Sequence, residues 1–252
     1  MKGSLSEGIG YFTRGLTLLR HPRLRPFVLI PLLINIVIFG SLITYTVSYV
    51  DAVMTSWLNA IPDWLSWLSW LIWPLLVLSL ALVTGYLFTA VAILIASPFN
   101  GLLAEKAEEI VTGQPVQGPE TILQAFMIFP RSIGRELVKF LYYLPLLLIV
   151  LVLSWIPPFS MVAPVLWFIF GAWMMAVQYV DYPMDNHMTD FKDLKEVLRE
   201  RRLSSLGFGG VVALVSGIPV LNFFVVPAAV CGATLFWCEE LAREHARLTD
   251  RS

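Results

Sequence analysis

Long apolar runs without a formal charge alternate with short charged segments along this chain. The four longest uncharged runs are Pro26–Val50, Trp64–Ala104, Phe140–Val180 and Leu203–Cys238. A helix needs about 20 apolar residues to cross a bilayer, so each run is long enough to cross or enter one. The pattern therefore predicts an all-α integral membrane protein.

The first two runs predict two long transmembrane helices. One covers residues 26–50, and the other covers residues 64–110. The second exceeds the thickness of a bilayer, which predicts a cytoplasmic extension. A cluster of tryptophans opens it, as in the aromatic belt at a membrane interface, and Pro98 predicts a kink within it.

The positions of lysine and arginine predict the orientation of the chain. Basic residues occur in segments 1–25, 105–139 and 181–202 and in the C-terminal tail, whereas the loop at 51–63 has none. Cytoplasmic segments of membrane proteins are enriched in these residues. Both termini are therefore predicted to be cytoplasmic, with only the 51–63 loop on the outer side.

The last two runs must leave the cytoplasmic side and return to it, so each predicts a helical hairpin. In residues 203–238 the turn SGIPVLNF leaves arms of about 13 and 16 residues, or roughly 20–24 Å of helix. These arms are shorter than a hydrocarbon core of about 30 Å, which predicts a re-entrant hairpin. Residues 140–180 have an uncharged turn at Trp155–Pro164 and arms of about 15–17 residues, which predict a second partly inserted hairpin. An alternative in which residues 140–180 cross the membrane twice stays open.

Three shorter segments complete the predicted single membrane domain of residues 1–252. Residues 120–139 predict a cytoplasmic helix, and residues 239–252 predict a cytoplasmic tail. Residues 190–202 predict an amphipathic helix lying along the membrane surface. Its apolar side consists of Phe191, Leu194, Val197 and Leu198.

Composition supports a membrane protein and excludes other classes. Of the 252 residues, 58% are hydrophobic and 14% are charged, against about 25% charged in soluble domains. A net charge of -1 provides no basic field for nucleic acid. The sequence lacks a P-loop, an HExxH motif and a GxSxG motif, so it predicts neither an enzyme nor a cofactor.

The histidines and cysteines predict no metal or disulfide site. His187 has three aspartates nearby, at positions 181, 185 and 190, but a capped turn before the amphipathic helix explains this cluster better than a metal. Cys231 and Cys238 share a helix face inside an apolar run, where they are expected to pack as small apolar side chains.

The stretch LRHPRLRPF, at residues 19–27, concentrates positive charge before the first apolar run. Pro26 suits the first position of a helix, where its missing N–H leaves no donor unpaired. Arg25 then lies beside the positive end of the helix dipole, where guanidinium and free N–H groups bind oxyanions. Two interpretations stay open: an anion site, or a topology signal that contacts anionic lipid headgroups. Arg20, His21 and Arg23 belong to the same stretch.

A second charged group extends from the long helix into the next segment. Its acidic members are Glu105, Glu108 and Glu109, and the basic residues predicted to face them are Arg131, Arg135 and Lys139. The glutamates share a helix face because they are three and four residues apart. The group is either an ion-pair network at the membrane edge or a charged ring at a pore entrance. Asn100, after the predicted kink, joins this network or forms a helix-to-helix hydrogen bond.

Three stretches are the most distinctive: GLTLLRHPRLRPFVLIPLLIN (residues 15–35), ASPFNGLLAEKAEE (96–109) and QYVDYPMDNHMTDF (178–191). They resemble the CysZ family of bacterial sulfate-uptake membrane proteins, and the resemblance covers nearly the whole chain. It implies an inner-membrane protein that admits sulfate for cysteine synthesis. It also implies two long spanning helices, two half-inserted hairpins, and a homo-oligomer that is a dimer or an assembly of dimers.

The resemblance also implies roles for individual residues. In the family, sulfate binds near the start of the first membrane helix, where this chain has Arg25, with backbone groups near Arg23 and Leu24. The family often has a second basic residue directly after that arginine, whereas this chain has Pro26. Arg23 or Arg20 is therefore expected to take the second place. The family's central charge network maps onto Glu105, Glu108, Glu109, Arg131 and Arg135.

The leading hypothesis is an ATP-independent sulfate permease or channel of the bacterial inner membrane, serving sulfate assimilation and cysteine biosynthesis. The expected partners are sulfate, with sulfite left open, membrane lipids and further copies of the chain. A dianion needs a polar route through hydrocarbon, which makes an oligomer part of the hypothesis. The competing hypothesis is a non-transporting, membrane-structural or lipid-interacting protein whose arginines bind lipid phosphates.

Overall fold

A computed structural model describes residues 3–58, 69–116 and 129–250. Within these ranges all regular structure is helical, so the all-α prediction is confirmed. The helices are α1 (Leu5–Leu18), α2 (Arg25–Leu58), α3 (Ser69–Thr112), α4 (Phe129–Trp155), α5 (Pro157–Ser160), α6 (Ala163–Asn186), α7 (Phe191–Glu200), α8 (Arg202–Ser216), α9 (Pro219–Phe236) and α10 (Ala242–Thr249). A π-helical turn, Trp237–Leu241, separates α9 from α10.

The chain forms two compact units. The larger unit contains Met1–Val28 and Pro98–Ser252, and the smaller unit contains Leu29–Ser97. The prediction of one membrane domain over residues 1–252 stays a prediction. Every candidate site residue discussed below belongs to the larger unit.

In the smaller unit, α2 and α3 pack against each other through their apolar runs. The rings of Phe39 and Phe88 lie 4.4 Å apart, and the hydroxyl oxygens of Thr46 and Thr84 lie 3.3 Å apart. The stretch Arg25–Val50 of α2 is long and apolar enough to cross a membrane. Helix α2 thus contains the first predicted transmembrane segment and continues past its predicted end.

Helix α3 contains most of the second predicted transmembrane helix. It begins at Ser69 and continues through Pro98 to Thr112, while residues 64–68 of the prediction lie outside the described residues. Its 44 residues exceed the roughly 20 that one membrane crossing needs. This length agrees with the predicted extension, and the kink at Pro98 stays a prediction.

In the larger unit, α1 packs across α8 and α9 at positions where small residues let the backbones approach. Gly8 faces the backbone of Ser204 in α8, and Gly15 faces Ala228 and Gly232 in α9. A Cβ added at either Gly8 or Gly15 would overlap a carbonyl oxygen of the facing helix. Such close approach is typical of helix packing in membrane proteins. This close packing holds α1, and the turn that follows α1, on the core of the larger unit.

The sequence predicted two separate elements here, a cytoplasmic helix at residues 120–139 and a hairpin arm that starts at residue 140. Helix α4 differs from this prediction. One continuous helix runs from Phe129 to Trp155, and residues 120–128 lie outside the described residues. No proline or glycine separates its charged first part from its apolar second part around Lys139. Nothing in the local sequence therefore ends the helix at that point.

The hairpin of α4 and α6 has longer arms than the sequence predicted. The two helices contain 27 and 24 residues, or about 40 and 36 Å at 1.5 Å per residue. Their stretches Gly134–Trp155 and Ala163–Asn186 are each long and apolar enough to cross a membrane. Arm length therefore does not limit this hairpin to partial insertion, and its depth stays a prediction.

The turn between α4 and α6 provides partners for its own polar groups. The N–H groups of Ile156, Phe159 and Val162 donate to carbonyl oxygens three residues earlier. The Ser160 hydroxyl donates to the Pro157 carbonyl oxygen at 2.8 Å, and the prolines of the turn carry no N–H. Irregular backbone needs such partners when no water is present, so these groups of the turn are compatible with an apolar environment.

Helices α8 and α9 form the hairpin predicted at residues 203–238. Their 15 and 18 residues correspond to about 22 and 27 Å, which is shorter than a hydrocarbon core of about 30 Å. The N–H groups of Gly217 and Ile218 donate to the last carbonyls of α8. In the stretch Phe224–Thr249, 72% of the most apolar window is buried within the protein. The depth of this hairpin in a membrane stays a prediction.

The apolar side of α7 faces the protein core. Leu194, Val197 and Leu198 are fully buried, because α6, α8 and α10 pack against α7. The apolar side of α7 thus packs on the protein, and the predicted position of the helix along the membrane surface stays a prediction. Amphipathic periodicity shows that a helix has an apolar face, but it does not show what covers that face.

The predicted tail at residues 239–252 is helical over most of its described length. It forms the end of the π-helical turn and then α10. Arg201, at the junction of α7 and α8, lies 2.9 Å from Glu244 and 3.4 Å from Glu240. These ion pairs hold the C-terminal helix on the larger unit.

Candidate functional site

The predicted anion site lies in the turn between α1 and α2. The N–H groups that follow α1 donate back to its last carbonyl oxygens, so the turn continues directly from the helix. Leu24 is fully buried in the core of the larger unit, whereas Arg20, Arg23 and Arg25 are exposed. Leu24 thus anchors the turn, and the arginines on either side remain accessible.

Hydrogen bonds inside the turn determine which donors remain for an anion. The Leu24 N–H donates to the His21 carbonyl oxygen at 3.0 Å, and the Arg23 N–H makes a long bond of 3.4 Å to His21 Nδ1. Arg25 donates from Nη2 to the Arg20 carbonyl oxygen at 3.1 Å. A guanidinium carries several further N–H groups. Arg25 therefore keeps donors for an anion, whereas the predicted Leu24 N–H is already in use.

The arginines of this turn differ in their partners from the arginines that hold the helices of the larger unit together. Arg14 binds Glu239, and Arg201 binds Glu244. Among the residues that the structure describes, Arg23 and Arg25 form no ion pair with a carboxylate. Their charge is therefore not neutralised within this part of the chain, which favours binding of an oxyanion. The sulfate-binding role of these residues stays a prediction.

Two of the predicted network glutamates pair with a lysine of their own helix. Lys106 Nζ lies 2.8 Å from Glu105 and 2.9 Å from Glu109. The predicted partner Arg135 lies against other carboxylates, as described below, and the side chain of Arg131 lies outside the described residues. The expected pairing between α3 and Arg135 is therefore corrected.

Glu108 pairs with a histidine that the sequence indicated only as part of a capped turn. His187 Nε2 lies 2.8 Å from Glu108 Oε1, and the exposed fraction is 38% for the His187 side chain and 8% for the Glu108 side chain. The His187 ring also lies 5.4 Å from the ring of Trp237. The spacing on α3 showed which glutamates share a face, but it carried no information about the residue opposite them.

A buried charge network joins α4 to the end of α6. It consists of Arg135, Glu136, Lys139, Asp181 and Asp185. Arg135 Nε lies 2.7 Å from Asp181 Oδ1, and Lys139 Nζ lies 3.0 Å from Asp181 Oδ2. Lys139 is 1% exposed and Asp181 is 4% exposed. The buried Asp181 carboxylate therefore contacts both cations of α4, which are also paired with Asp185 and with the exposed Glu136.

Sequence reasoning missed the two aspartates of this network, although a signal was present. Asp181 and Asp185 are four residues apart, as are Arg135 and Lys139, so each pair lies on one side of its helix. Two such pairs of opposite charge on consecutive long helices predict an ion-pair ladder. Arg135 also donates to the Thr189 carbonyl oxygen at 2.6 Å, a contact that no side-chain pattern indicates.

Asn100 contributes to a separate set of polar links between α3 and α6. Its Nδ2 donates to the Tyr182 hydroxyl at 3.4 Å, and Asn186 Nδ2 donates to the Gly101 carbonyl oxygen at 3.0 Å. Asn100 thus makes the helix-to-helix hydrogen bond that was one of its two expected roles. Its place in a pore stays a prediction.

We expect His187→Gln to remove a pH-dependent part of the stability. The hydrogen bond to Glu108 raises the pKa of His187 above its ordinary 6.5, although partial burial opposes this change. A histidine with a raised pKa stabilises the folded state fully below pH 6.5 and loses that contribution as pH rises through the raised pKa. The difference in Tm between wild type and variant, measured in detergent, should therefore be largest in acid. His21→Gln is the control, and a difference independent of pH would contradict this prediction.

The helices and charged residues together define the class of protein. The stretches long and apolar enough to cross a membrane, judged by length and composition, are Arg25–Val50, Gly134–Trp155, Ala163–Asn186 and Phe224–Thr249. Exposed arginines precede one of these stretches, and a buried charge network joins two others. The protein is a multi-pass, all-α membrane protein.

Comparison with known proteins identifies the family. A family model described as Sulfate transporter CysZ/Etoposide-induced protein 2.4 matches residues 11–227. Proteins named Sulfate transporter CysZ from Salmonella paratyphi A, Salmonella enteritidis and Salmonella gallinarum are each 45% identical over 242 residues, which is 95% of either chain. The chain belongs to this family, and the resemblance seen in its sequence is confirmed.

Proposed function

We propose that this protein carries sulfate into the bacterial cell across the inner membrane, as an ATP-independent permease or channel. The imported sulfate feeds sulfate assimilation and cysteine biosynthesis. The proposal is supported by 45% identity, over 95% of the chain, to proteins named Sulfate transporter CysZ. These relatives are named as transporters, so we assign the protein no catalytic role.

The observation that carries the proposal is the unpaired positive charge where α2 begins. Guanidinium groups bind oxyanions through paired, charge-assisted N–H bonds, which suits a doubly charged sulfate. Arg23 and Arg25 flank the buried Leu24 and are exposed. We assign sulfate binding to Arg25, with Arg23 as the second cation.

A sulfate pathway requires a polar or hydrated lining, because a dianion in hydrocarbon is prohibitively costly. The stretch Arg25–Val50 is apolar, and 0% of its most apolar window is buried within the chain. An exposed apolar helix provides no polar lining by itself, so we place the pathway between polar faces of several copies of the protein. We assign the assembly as a dimer or a set of dimers.

The proposed placement in the membrane follows from charge. Both termini and the buried charge network lie on the cytoplasmic side, because the segments that flank the hairpins are rich in lysine and arginine. Both hairpins enter from that side. Their uncharged turns, the internal hydrogen bonds of the turn between α4 and α6, and the short arms of α8 and α9 support partial insertion.

Arg25→Gln tests the assigned site. A hydrogen bond to a charged group contributes about 1.5–3 kcal/mol, and about 1.4 kcal/mol corresponds to a factor of ten. We therefore expect sulfate uptake into proteoliposomes to fall roughly 10- to 100-fold at limiting sulfate. The measurement is the initial rate of radiolabelled sulfate uptake, with chloride and phosphate as competing anions.

Arg243→Gln is the matched control, since it removes an equal charge from an exposed position of α10 and should leave uptake unchanged. Protein-free vesicles give the background rate. Wild-type uptake at that background would overturn the transport proposal and favour a lipid-interacting structural protein. Rapid uptake by Arg25→Gln would overturn only the assignment of sulfate binding to Arg25, and the transport proposal would stand.

A further inference from the structure

An open groove lies beside the basic turn, between the end of α1 and the end of α9. Its volume is about 480 Å³, within the range of small-molecule sites. Its lining residues are Arg14, Thr17, Leu18, Arg20, His21 and Leu235. Neither Arg23 nor Arg25 belongs to this lining among the described residues. The groove therefore adjoins the proposed sulfate site and shares the basic turn with it, but it does not include the two arginines assigned to sulfate.

One end of the groove carries a cation whose charge is not balanced. The Arg14 guanidinium is bound by both carboxylate oxygens of Glu239, so its charge is compensated. Arg20, in contrast, forms no ion pair with any carboxylate in the part of the chain that the structure describes. Its exposed guanidinium leaves this end of the groove positive, and the neighbouring His21 ring offers a further polar group.

The groove also has an apolar wall of two leucines. Leu18 is half-buried, and Leu235 is 6% exposed. A free inorganic anion would leave the leucine wall in water, and a neutral lipid would leave Arg20 without a counter-charge. The groove therefore matches an amphiphile with one anionic group.

We propose that this groove binds an anionic phospholipid from the cytoplasmic leaflet. The lipid phosphate contacts Arg20 and His21, and the first part of an acyl chain lies along Leu18 and Leu235. Arginine near a membrane surface attracts anionic lipids in this way. Since Gly15 packs α1 tightly on α9, a lipid held here contacts both helices and stabilises the end of α1 next to the basic turn.

The test compares two lipids that differ in headgroup charge. Native mass spectrometry of the full-length protein in detergent should show tighter binding of phosphatidylglycerol than of phosphatidylcholine. Arg20→Gln should weaken phosphatidylglycerol binding about fivefold, since one arginine near an anionic surface is worth about 1 kcal/mol. The same variant should lose most of the rise in Tm that phosphatidylglycerol gives the wild type.

Arg202→Gln is the matched control, because it removes an exposed arginine at the start of α8 that does not line the groove. It should keep the phosphatidylglycerol preference. In the Arg25→Gln background, which lacks the proposed sulfate site, inorganic phosphate and sulfate added alone should not reproduce the lipid-induced rise in Tm. An equal rise with either ion, equal binding of phosphatidylcholine, or unchanged phosphatidylglycerol binding by Arg20→Gln would each overturn the proposal. Sulfate uptake through Arg25 is measured separately and does not depend on these outcomes.

Discussion

Asp181→Asn is expected to lower the free energy of unfolding by about 3–5 kcal/mol, the usual effect of removing one partner of a buried ion pair. The Asp181 carboxylate lies 3.0 Å from Lys139 Nζ and 2.7 Å from Arg135 Nε. Lys139 is 1% exposed, so water cannot replace the lost counter-charge, and the carboxylate that remains to its ammonium, Glu136, is 48% exposed. The measurement is thermal unfolding in detergent, followed by tryptophan fluorescence and by the fraction that remains monodisperse on size exclusion.

Two further variants distinguish the loss of a carboxylate from the charge network from the loss of a carboxylate elsewhere in the protein. Glu196→Gln makes the same chemical change on the exposed side of α7, and exposed substitutions of this kind change stability by about 0.5 kcal/mol or less. Adding Lys139→Met to Asp181→Asn removes the buried ammonium, which would otherwise keep only the exposed Glu136 as a partner, and buried pairs replaced by apolar groups are often tolerated. The double variant should therefore be more stable than Asp181→Asn. A wild-type unfolding midpoint for Asp181→Asn would refute the role of the network.

The length and placement of the apolar runs were sufficient to predict the membrane class and most helices. Charge, however, was a poor guide to where a helix ends. The prediction ended one helix at Lys139 and started another at Phe140, whereas α4 runs through both. A lysine interrupts an apolar run without breaking a helix, because its helix propensity is high. A charged residue inside an apolar run therefore does not by itself mark a helix end.

The sequence did not determine which charged residues of different helices form ion pairs with each other. Spacing of three and four residues shows which side chains share a face of one helix. It does not show which helix lies opposite, so Arg135 was paired with the glutamates of α3 and instead contacts Asp181 of α6. The basic turn was easier to predict, because its arginines are neighbours along the chain. The burial of Leu24 between them depends on long-range packing.

Close packing between α8 and α6 predicts the second large change in stability, at a glycine of α8. The Cα of Gly209 faces Ala172, and a Cβ added at Gly209 would overlap the Ala172 carbonyl oxygen. That obstacle is backbone and cannot rotate away, so the two helices must separate. At the adjacent Gly210, a Cβ would meet the end of the Phe168 ring at 3.4 Å, an ordinary contact with a movable side chain. The two glycines therefore differ in tolerance although both are buried in the same helix.

Gly209→Ala should consequently lower stability, whereas Gly210→Ala should not. Both replace glycine by alanine inside α8, which favours the helix by up to about 1 kcal/mol through intrinsic propensity. For Gly209→Ala, overpacking of about 1–3 kcal/mol or more outweighs this gain, so its Tm in detergent should fall below wild type. For Gly210→Ala the gain remains, and the Tm should be unchanged or higher. Equal shifts for the two variants would mean that α8 and α6 are not in backbone contact at Gly209, because helix propensity alone cannot distinguish adjacent positions.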